Sequence, residues 1–389
     1  MPKSPLFPIF LTVFVDVLGL TIVLPLLPFY AEHFGAPPVV VGALAASYAL
    51  CQLVSGPILG RISDRVGRKP TLLVSQMGTF AAFLMIGSAH ALWMLFLGRI
   101  IDGLTAGNLA IAQAYISDVT RPENRTRAFA LIGIAFGSGF LVGPAISGVV
   151  AQRYGYGAPA FVAAGLSALS VLCTATLLPR TPPRPDGEPA PSRARSMGRF
   201  FSREVTRDRL VAFFCFALSF GMYVGGNALF LERRLGFDVA KVGWIFAYSG
   251  LVGGLVQGGI ITRLVKRLGE ARLSALGFAC MGVGFGAVGF AHSLAHVLVC
   301  ATIAGFGSAV VRPALTTLIT KSVGTHEQGA ALGVSQSLAS VANILGPLTA
   351  GFLIQHDLLG TFGLVTGAVA LVGVVVIWRA EPEAAPVPT

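Results

Sequence analysis

Apolar residues run through this chain in long stretches, and the polar segments between them are short. Measured against the ~20 residues that carry a helix across a bilayer core, the runs predict twelve spans: 7–29, 38–60, 71–89, 91–117, 128–151, 158–178, 210–231, 240–262, 272–291, 293–319, 327–354 and 361–378. They fall into two groups of six. The pattern predicts an all-α membrane protein with one six-helix bundle over 1–179 and another over 210–389. Residues 180–209 form the long polar stretch between the bundles. Pro182, Pro183, Pro185, Pro189 and Pro191 stand there among arginines, a composition that cannot bury a core and reads as a cytoplasmic linker. Its end, Ser196 to Arg209, alternates Phe200 and Phe201 with arginines and is expected to lie on the membrane surface as a short amphipathic helix.

Composition removes the soluble alternatives. Hydrophobic residues make up 54%, charged residues 12%, and mean hydropathy is +0.77, against about 25% charged residues in a soluble domain. The 48 glycines suit membrane helices, where small residues let backbones approach. A net charge of +11 raises the question of nucleic acid, but the placement of the charge answers it. With both termini inside, 22 Lys and Arg fall on the cytoplasmic side and four (Arg153, Arg233, Arg234, Lys241) on the other, the positive-inside signature. Lys3 precedes an apolar run that holds Asp16, Pro25 and Pro28 with no A-x-A site after it. That run is expected to be a retained first helix in the cell inner membrane. The five cysteines (Cys51, Cys173, Cys215, Cys280, Cys300) lie inside apolar runs without metal-ligand spacing, so neither a disulfide nor a metal site is expected. No nucleotide-binding loop or nucleophile constellation is present, and the chain is expected to be neither ATP-driven nor an enzyme, with no cofactor.

A weak repeat ties the two groups together. Gly143-Pro144-Ala145-Ile146-Ser147-Gly148 recurs as Gly346-Pro347-Leu348-Thr349-Ala350-Gly351, offset by 203 residues, and Gly60 and Gly259, each opening a basic loop, are offset by 199. Offsets this close imply duplicated, pseudo-symmetric halves.

Four motifs carry chemistry. The segment Gly60-Arg61-Ile62-Ser63-Asp64-Arg65-Val66-Gly67-Arg68-Lys69 resembles the loop 2–3 signature of the major facilitator superfamily, G-x-x-x-D-R-x-G-R-K/R. Gly60 and Gly67 would allow a tight turn, Asp64 would meet the positive end of a helix, and Arg68 would pair with Asp118. The resemblance implies that this cluster, with Arg65, latches a cytoplasmic gate. The second copy, Gly259 to Gly269, keeps Lys266 and Arg267 without the acid, so the latch is expected mainly on the first copy. The run from Gly139 to Gly148, through Gly143 and Pro144, resembles the antiporter motif core G-x-x-x-G-P-x-x-G-G. Ser147 replaces one closing glycine and Ala130 stands where a leading glycine would fall. Span 5 is expected to be bent at Pro144 and packed on span 8. Asp16-Val17-Leu18-Gly19 with Pro25 and Pro28 is similar to the D-x-x-G…P-x-x-P pattern of twelve-span drug:proton antiporters. Arg99 in Leu97-Gly98-Arg99-Ile100-Ile101-Asp102-Gly103 resembles their R-x-x-Q-G motif, with Asp102 in place of Gln.

A lone Asp or Arg at the centre of a span costs roughly 2.5–3.5 kcal/mol to insert, so Asp16, Arg99 and Asp102 need partners or water. Arg99 and Asp102, at i and i+3, share a face and can pair locally. Asp16 is the expected proton carrier, with Arg99 passing between the two carboxylates. The resemblance covers nearly the whole chain and is strongest to the tetracycline/proton antiporter branch, whose rhythm continues in Arg312-Pro313, Gln328-Gly329 and Gly346-Pro347. That branch carries further acids in spans 3 and 9, and 71–89 and 272–291 hold none, which argues against a divalent-metal–tetracycline substrate. Gln52, Gln113, Tyr223, Asn227, Tyr248, Gln257, Arg312, Gln336 and Asn343 are the polar candidates for a substrate cavity.

These features together imply a proton-coupled exporter of a small drug-like or lipophilic molecule, of the multidrug-efflux and antibiotic-resistance type. Its partners are that substrate, protons and lipid, without nucleic acid, and the chain acts as a monomer. A uniporter or importer of the same fold, or a non-transporting receptor or scaffold, are the alternatives.

Overall fold

The computed structural model describes residues 6–120, 125–179, 198–324 and 327–380. Among them every regular element is helical. The helices are α1 (Leu6–Val23), α2 (Leu26–His33), α3 (Pro38–Val66), α4 (Arg68–Gly87), α5 (Leu92–Leu104), α6 (Asn108–Val119), α7 (Arg125–Tyr154) and α8 (Ala158–Leu177), then α9 (Glu204–Leu235), α10 (Val239–Leu255), α11 (Ile261–Val288), α12 (Leu294–Lys321), α13 (Gln328–Gln355) and α14 (Leu359–Arg379).

Among the described residues ten helices are long and apolar enough to cross a membrane, and eleven when the bent pair Pro8–Val23 and Leu26–His33 counts as one broken span. The 50-residue stretch Val239–Val288 passes as a single span but is broken at Gly269, where φ is 73°. Divided there, it is consistent with the expected twelve spans.

Several expected spans are interrupted, each for a local reason. Span 1 bends by 41° at Pro25, whose missing N–H stops the helical ladder. Span 4 breaks between α5 and α6 because Ser75 of α4 inserts into the gap. Its hydroxyl donates to the Thr105 carbonyl and accepts from the Gly107 N–H at 3.0 Å, so the broken ladder is satisfied from the side. Residues Val256–Ile260 form a π-helical turn. The expected loop after residue 60 is instead helix as far as Val66, and α4 begins at Arg68. The turn is the single residue Gly67, at φ 107° and ψ 155°, a conformation that L side chains rarely adopt. Gly60 lies within α3 with nothing close to its Cα hydrogens and does not make the turn.

The chain clusters into two compact units, residues 1–187 with 231–251, and 188–230 with 252–389. Residues 231–251, expected in the second bundle, therefore group with the first. In the first unit α1 packs between α7 and α8, and α4 between α5 and α8. In the second, α11 is gripped by α12 and α14 through small residues. A Cβ added at Gly367 would stand 2.5 Å from the Gly282 carbonyl oxygen, and one at Gly307 would collide with that of Gly277. Such backbone contact is how membrane helices gain packing where lipid offers no hydrophobic drive.

The stretch expected as linker and surface helix is only partly so. Residues 180–197 lie outside the described residues. From 198 onward the chain is docked: Phe200 and Thr206 are buried, Thr206 Oγ1 meets Ser322 Oγ at 3.3 Å, and α9 already begins at Glu204.

Candidate functional site

Three intramembrane charges, Asp16, Arg99 and Asp102, lie in the first unit, where α1, α4, α5 and α8 meet; Arg312 of α12 lies in the second. Arg99 and Asp102 are both buried on α5, and Arg99 Nη1 donates to Asp102 Oδ2 at 3.2 Å. The guanidinium carbon also sits 4.2 Å above the Tyr48 ring of α3, so a cation–π contact supplements the ion pair. Asp102 has a second polar neighbour in Thr79 of α4. Arg99 Nε is buried without a hydrogen-bond partner among the described residues.

Asp16, on α1, is half-buried. Ser170 on α8 and Gln76 on α4 are its polar neighbours, and Asp102 is the nearby like charge. Its Oδ1 is buried and has no partner among the described residues. Hydrogen bonds lock the surrounding helices: Gln76 Nε2 donates to Ser170 Oγ at 2.7 Å, Ser167 Oγ to the Gln76 carbonyl at 3.3 Å, and Thr12 Oγ1 meets Thr174 Oγ1 at 3.2 Å. Arg99 is therefore on Asp102, and the expected contact of Arg99 with Asp16 is not made in this state.

Sequence patterning does not single out Gln76, Thr79, Tyr48 or Ser170. The stripe Ser167, Ser170, Thr174 at helical spacing is the available signal for α8. Gln76 and Thr79, at i and i+3, are the same signal for α4.

At the α3–α4 corner the structure brings Asp64, Arg68 and Asp118 together. Arg68 is buried and uses its whole fork: Nη2 to Asp64 Oδ1 at 2.6 Å, Nε to Asp118 Oδ2 at 2.8 Å, and Nη1 to Ser63 Oγ at 2.7 Å. Two carboxylates and a hydroxyl compensate one desolvated guanidinium. Lys69 Nζ donates to the Ala175 and Leu178 carbonyls at 2.8 and 2.7 Å, capping the end of α8 where a cation is favoured. Arg65 is exposed. In the second unit the stretch Gly259 to Gly269 holds no acid, as expected, but one stands just beyond it. Glu270 follows Gly269 and is paired with Lys321 Nζ at 2.5 Å.

The glycines of α7 face two ways. Gly139 and Gly143 press on α1: a Cβ at Gly139 would lie 2.7 Å from Val17 Cγ1, and one at Gly143 would collide with Thr21 Oγ1. Thr21 Oγ1 itself donates to the Gly139 carbonyl at 2.9 Å. Gly148 and the Pro144 carbonyl press instead on Ala240 and Gly243 of α10. The motif thus serves α1 as well as span 8, which was the expected partner.

The cavity candidates divide between the units. Gln52 is half-buried and donates to Tyr48 Oη at 3.1 Å; Tyr248 is half-buried and Gln113 exposed. In the second unit Tyr223 and Asn227 are buried. Tyr223 stacks on Phe285 at 4.3 Å, and Asn227 Oδ1 is unpartnered among the described residues. Gln257, Arg312, Gln336 and Asn343 are exposed.

Comparison with known proteins agrees with this architecture. The model of the Major Facilitator Superfamily matches residues 9–263 and 209–389. The tetracycline resistance protein, class E, of Escherichia coli is 32% identical over 358 residues, covering 88% of this chain and 85% of that protein. Multidrug resistance protein 1 of Bacillus subtilis is 26% identical, covering 94% of each. Among solved structures, a mutant of the nucleoside transporter NupG superposes with a TM-score of 0.80 at 16% identity, covering 97% of this chain and 100% of that one. The human organic anion transporter MFSD10 does so at 0.75 and 21% identity, with the same coverage. Helices broken by proline and glycine, polar groups held inside spans and a family match along nearly the whole length lead to one assignment: the chain belongs to the Major Facilitator Superfamily and is a multi-pass membrane transporter, not an enzyme.

Proposed function

We infer that this chain is a proton-coupled secondary exporter of a small drug-like or lipophilic molecule, with Asp16 as the coupling carboxyl. The observation that carries this reading is the setting of Asp16. It stands in mid-span, half-buried, with one oxygen unpartnered among the described residues and the nearby cation engaged by Asp102 instead. A carboxyl so placed can hold a proton in one state and release it in another, because no fixed counter-charge commits it to either form. The relatives, by name tetracycline and multidrug resistance proteins, support export as the direction. The lack of Asp or Glu in 71–89 and 272–291 favours a lipophilic or cationic molecule over a metal–tetracycline complex. Tyr223, Asn227 and the other polar candidates are proposed to line the substrate path.

Asp64, Arg68 and Asp118 are proposed as the cytoplasmic latch. Both termini face the cytoplasm in the inner membrane, as the 22-to-4 distribution of basic residues supports, and the chain works as a monomer made of two six-helix halves.

The test uses everted vesicles with an imposed proton gradient and ethidium or tetracycline as probe. Asp16→Asn should abolish gradient-driven uptake while gradient-independent exchange of the probe persists. Undiminished uphill transport by Asp16→Asn removes Asp16 from coupling. Transport that ignores the gradient in the unmodified protein would establish a uniporter instead.

A further inference from the structure

Helices α11 and α14 of the second unit are pressed together over residues 278–289 and 363–373. A Cβ added at Gly363 would stand 2.6 Å from the Gly289 Cα, and one at Gly373 would collide with the Phe278 ring. Beyond Gly373 a groove of about 560 Å³ opens between the same two helices, within the range of about 300–1,000 Å³ that small-molecule sites occupy. Ala271, Ala275 and Ala279 of α11 and Ile377 of α14 line it, together with Arg272 and Trp378. Ala275 and Ile377 are buried, whereas Arg272 and Trp378 are exposed.

Position and charge select the occupant. α14 ends at Arg379, and α11 resumes at Glu270 after its break at Gly269, so the groove lies where both spans reach the membrane surface. Trp is enriched at that level, and a long Arg side chain there reaches the headgroups. Arg272 and Arg379 have no ion pair among the described residues, because Glu270 is taken by Lys321. A guanidinium left so is a ready partner for phosphate. Ala271, Ala275 and Ala279 stand four residues apart, and the strip they make runs about 12 Å inward. That is most of one leaflet's share of the ~30 Å hydrocarbon core. We propose that this groove binds one anionic phospholipid, its phosphate on Arg272, its glycerol backbone against Trp378 and an acyl chain laid over the alanines.

A lipid so held bridges α11 and α14 where their own packing ends. The proposed topology puts this end in the cytoplasmic leaflet, the one that carries the negative surface potential. The choice of leaflet rests on that topology; the binding itself does not. A zwitterionic lipid fits the apolar strip equally well but brings its own cation to the phosphate, so the unpaired arginine selects net negative charge.

The test is native mass spectrometry of the full-length protein in detergent, titrated with phosphatidylglycerol or with phosphatidylcholine of the same acyl chains. It needs no transport, so its failure leaves the exporter reading standing. The unmodified protein should bind one phosphatidylglycerol more tightly than any phosphatidylcholine. Arg272→Gln should weaken that first phosphatidylglycerol by about fivefold, the worth of one basic side chain beside an anionic headgroup, and leave phosphatidylcholine unchanged. Ala275→Leu, which fills the groove, should weaken both lipids. If Ala275→Leu does not fold, Ala271→Leu fills the less buried end. Lys266→Gln, at an exposed cation that does not line the groove, should bind like the unmodified protein. Equal losses in Lys266→Gln and Arg272→Gln would mean diffuse surface charge and overturn the site. Equal affinity of the unmodified protein for the two lipids overturns it as well, as does full competition by soluble glycerol phosphate. Phosphatidylglycerol binding that appears only after residues 381–389 are removed makes the chain's own end, with Glu381 and Glu383, the occupant in place of lipid.

Discussion

Glu270 meets Lys321 in the second unit at the place where Arg68 meets Asp118 in the first, with the charges exchanged. Each pair follows a glycine in the left-handed region, Gly67 at φ 107° and Gly269 at φ 73°, and the paired positions are offset by 202 and 203 residues. The duplicated halves thus keep the geometry of the corner and invert its polarity. The two pairs also differ in weight. Arg68 is buried, its side chain 7% exposed, whereas the Lys321 side chain is 60% exposed.

Burial decides the size of the effect. Asp118→Asn leaves a desolvated guanidinium short of a partner, and removing one member of a buried pair costs roughly 3–5 kcal/mol. Asp64 and Ser63 still hold Arg68, so the loss should fall below that range. Lys321→Ala removes a solvent-exposed pair worth about 0–1 kcal/mol. Thermal melting of the purified protein should rank Asp118→Asn well below Lys321→Ala. Equal losses would show that the two corners carry equal weight. The exchange Glu270→Lys with Lys321→Glu should recover what either single change loses.

Acid should release the segment before α9. Arg203 donates to Glu327 at 2.7 Å and Arg199 at 2.5 Å. Arg203 first, then Arg199, hold this carboxyl below the ordinary glutamate value of 4.5. A depressed value means that the contact contributes above the unfolded value and is lost as pH falls through the folded one. A spin label at position 202, in a background without the five native cysteines, should be restrained at neutral pH and gain mobility once acid takes the pH below the ordinary glutamate range. Glu327→Gln should give the mobile spectrum at both. A label with the same mobility throughout means that the arginines do not dock this segment.

Much of this is legible in the sequence because hydrophobic runs and charge asymmetry are one-dimensional signals. Long apolar stretches mark the spans, and Arg99 and Asp102, three apart, can be paired by helical geometry alone. What stays hidden depends on contacts between distant helices. Gln76 beside Asp16 needs α1, α4 and α8 to be placed, and nothing in the run Val74-Ser75-Gln76-Met77 marks one residue as the partner of a carboxyl sixty residues earlier. The break at Thr105 is hidden because its cause is Ser75, thirty residues away. Glu270 escapes notice because it stands one residue beyond the stretch, Gly259 to Gly269, that matches the first copy. Phe200 and Phe201 read as a surface pattern, and only the fold shows that Phe200 is buried.

The close approach of α7 and α10 should tolerate no side chain at its centre. A Cβ at Gly148 would lie 2.8 Å from the Ala240 Cα and 3.1 Å from two carbonyl oxygens, all backbone atoms that cannot rotate aside. Gly148→Val should cost roughly 1–3 kcal/mol by overpacking and abolish transport of ethidium in cells that still insert the protein. Gly133→Val, placed where nothing lies within 4 Å, is the control and should transport normally. Normal transport by Gly148→Val would show that the helices do not need this contact during the cycle.

Asp102 is the residue at which this chain departs from the antiporter pattern, and its removal tests how Arg99 is used. Arg99 commits Nη1 to Asp102 at 3.2 Å, while its Nε is buried and unpartnered among the described residues. In Asp102→Gln the carboxylate is gone, and with it two effects on Asp16. A negative charge nearby no longer opposes the ionised form of Asp16, and the guanidinium is free to turn toward it. Both act in one direction, favouring the carboxylate over the acid. The pH at which proton-driven efflux is half-maximal should therefore shift lower, by roughly one unit, with efflux measured in everted vesicles and substrate-induced proton release as the second readout. If Asp102 serves only as a local counter-ion that keeps Arg99 in place, the variant should instead lose stability and leave the profile where it was. A profile that stays put or moves to higher pH would sink the exchange of Arg99 between the two carboxylates.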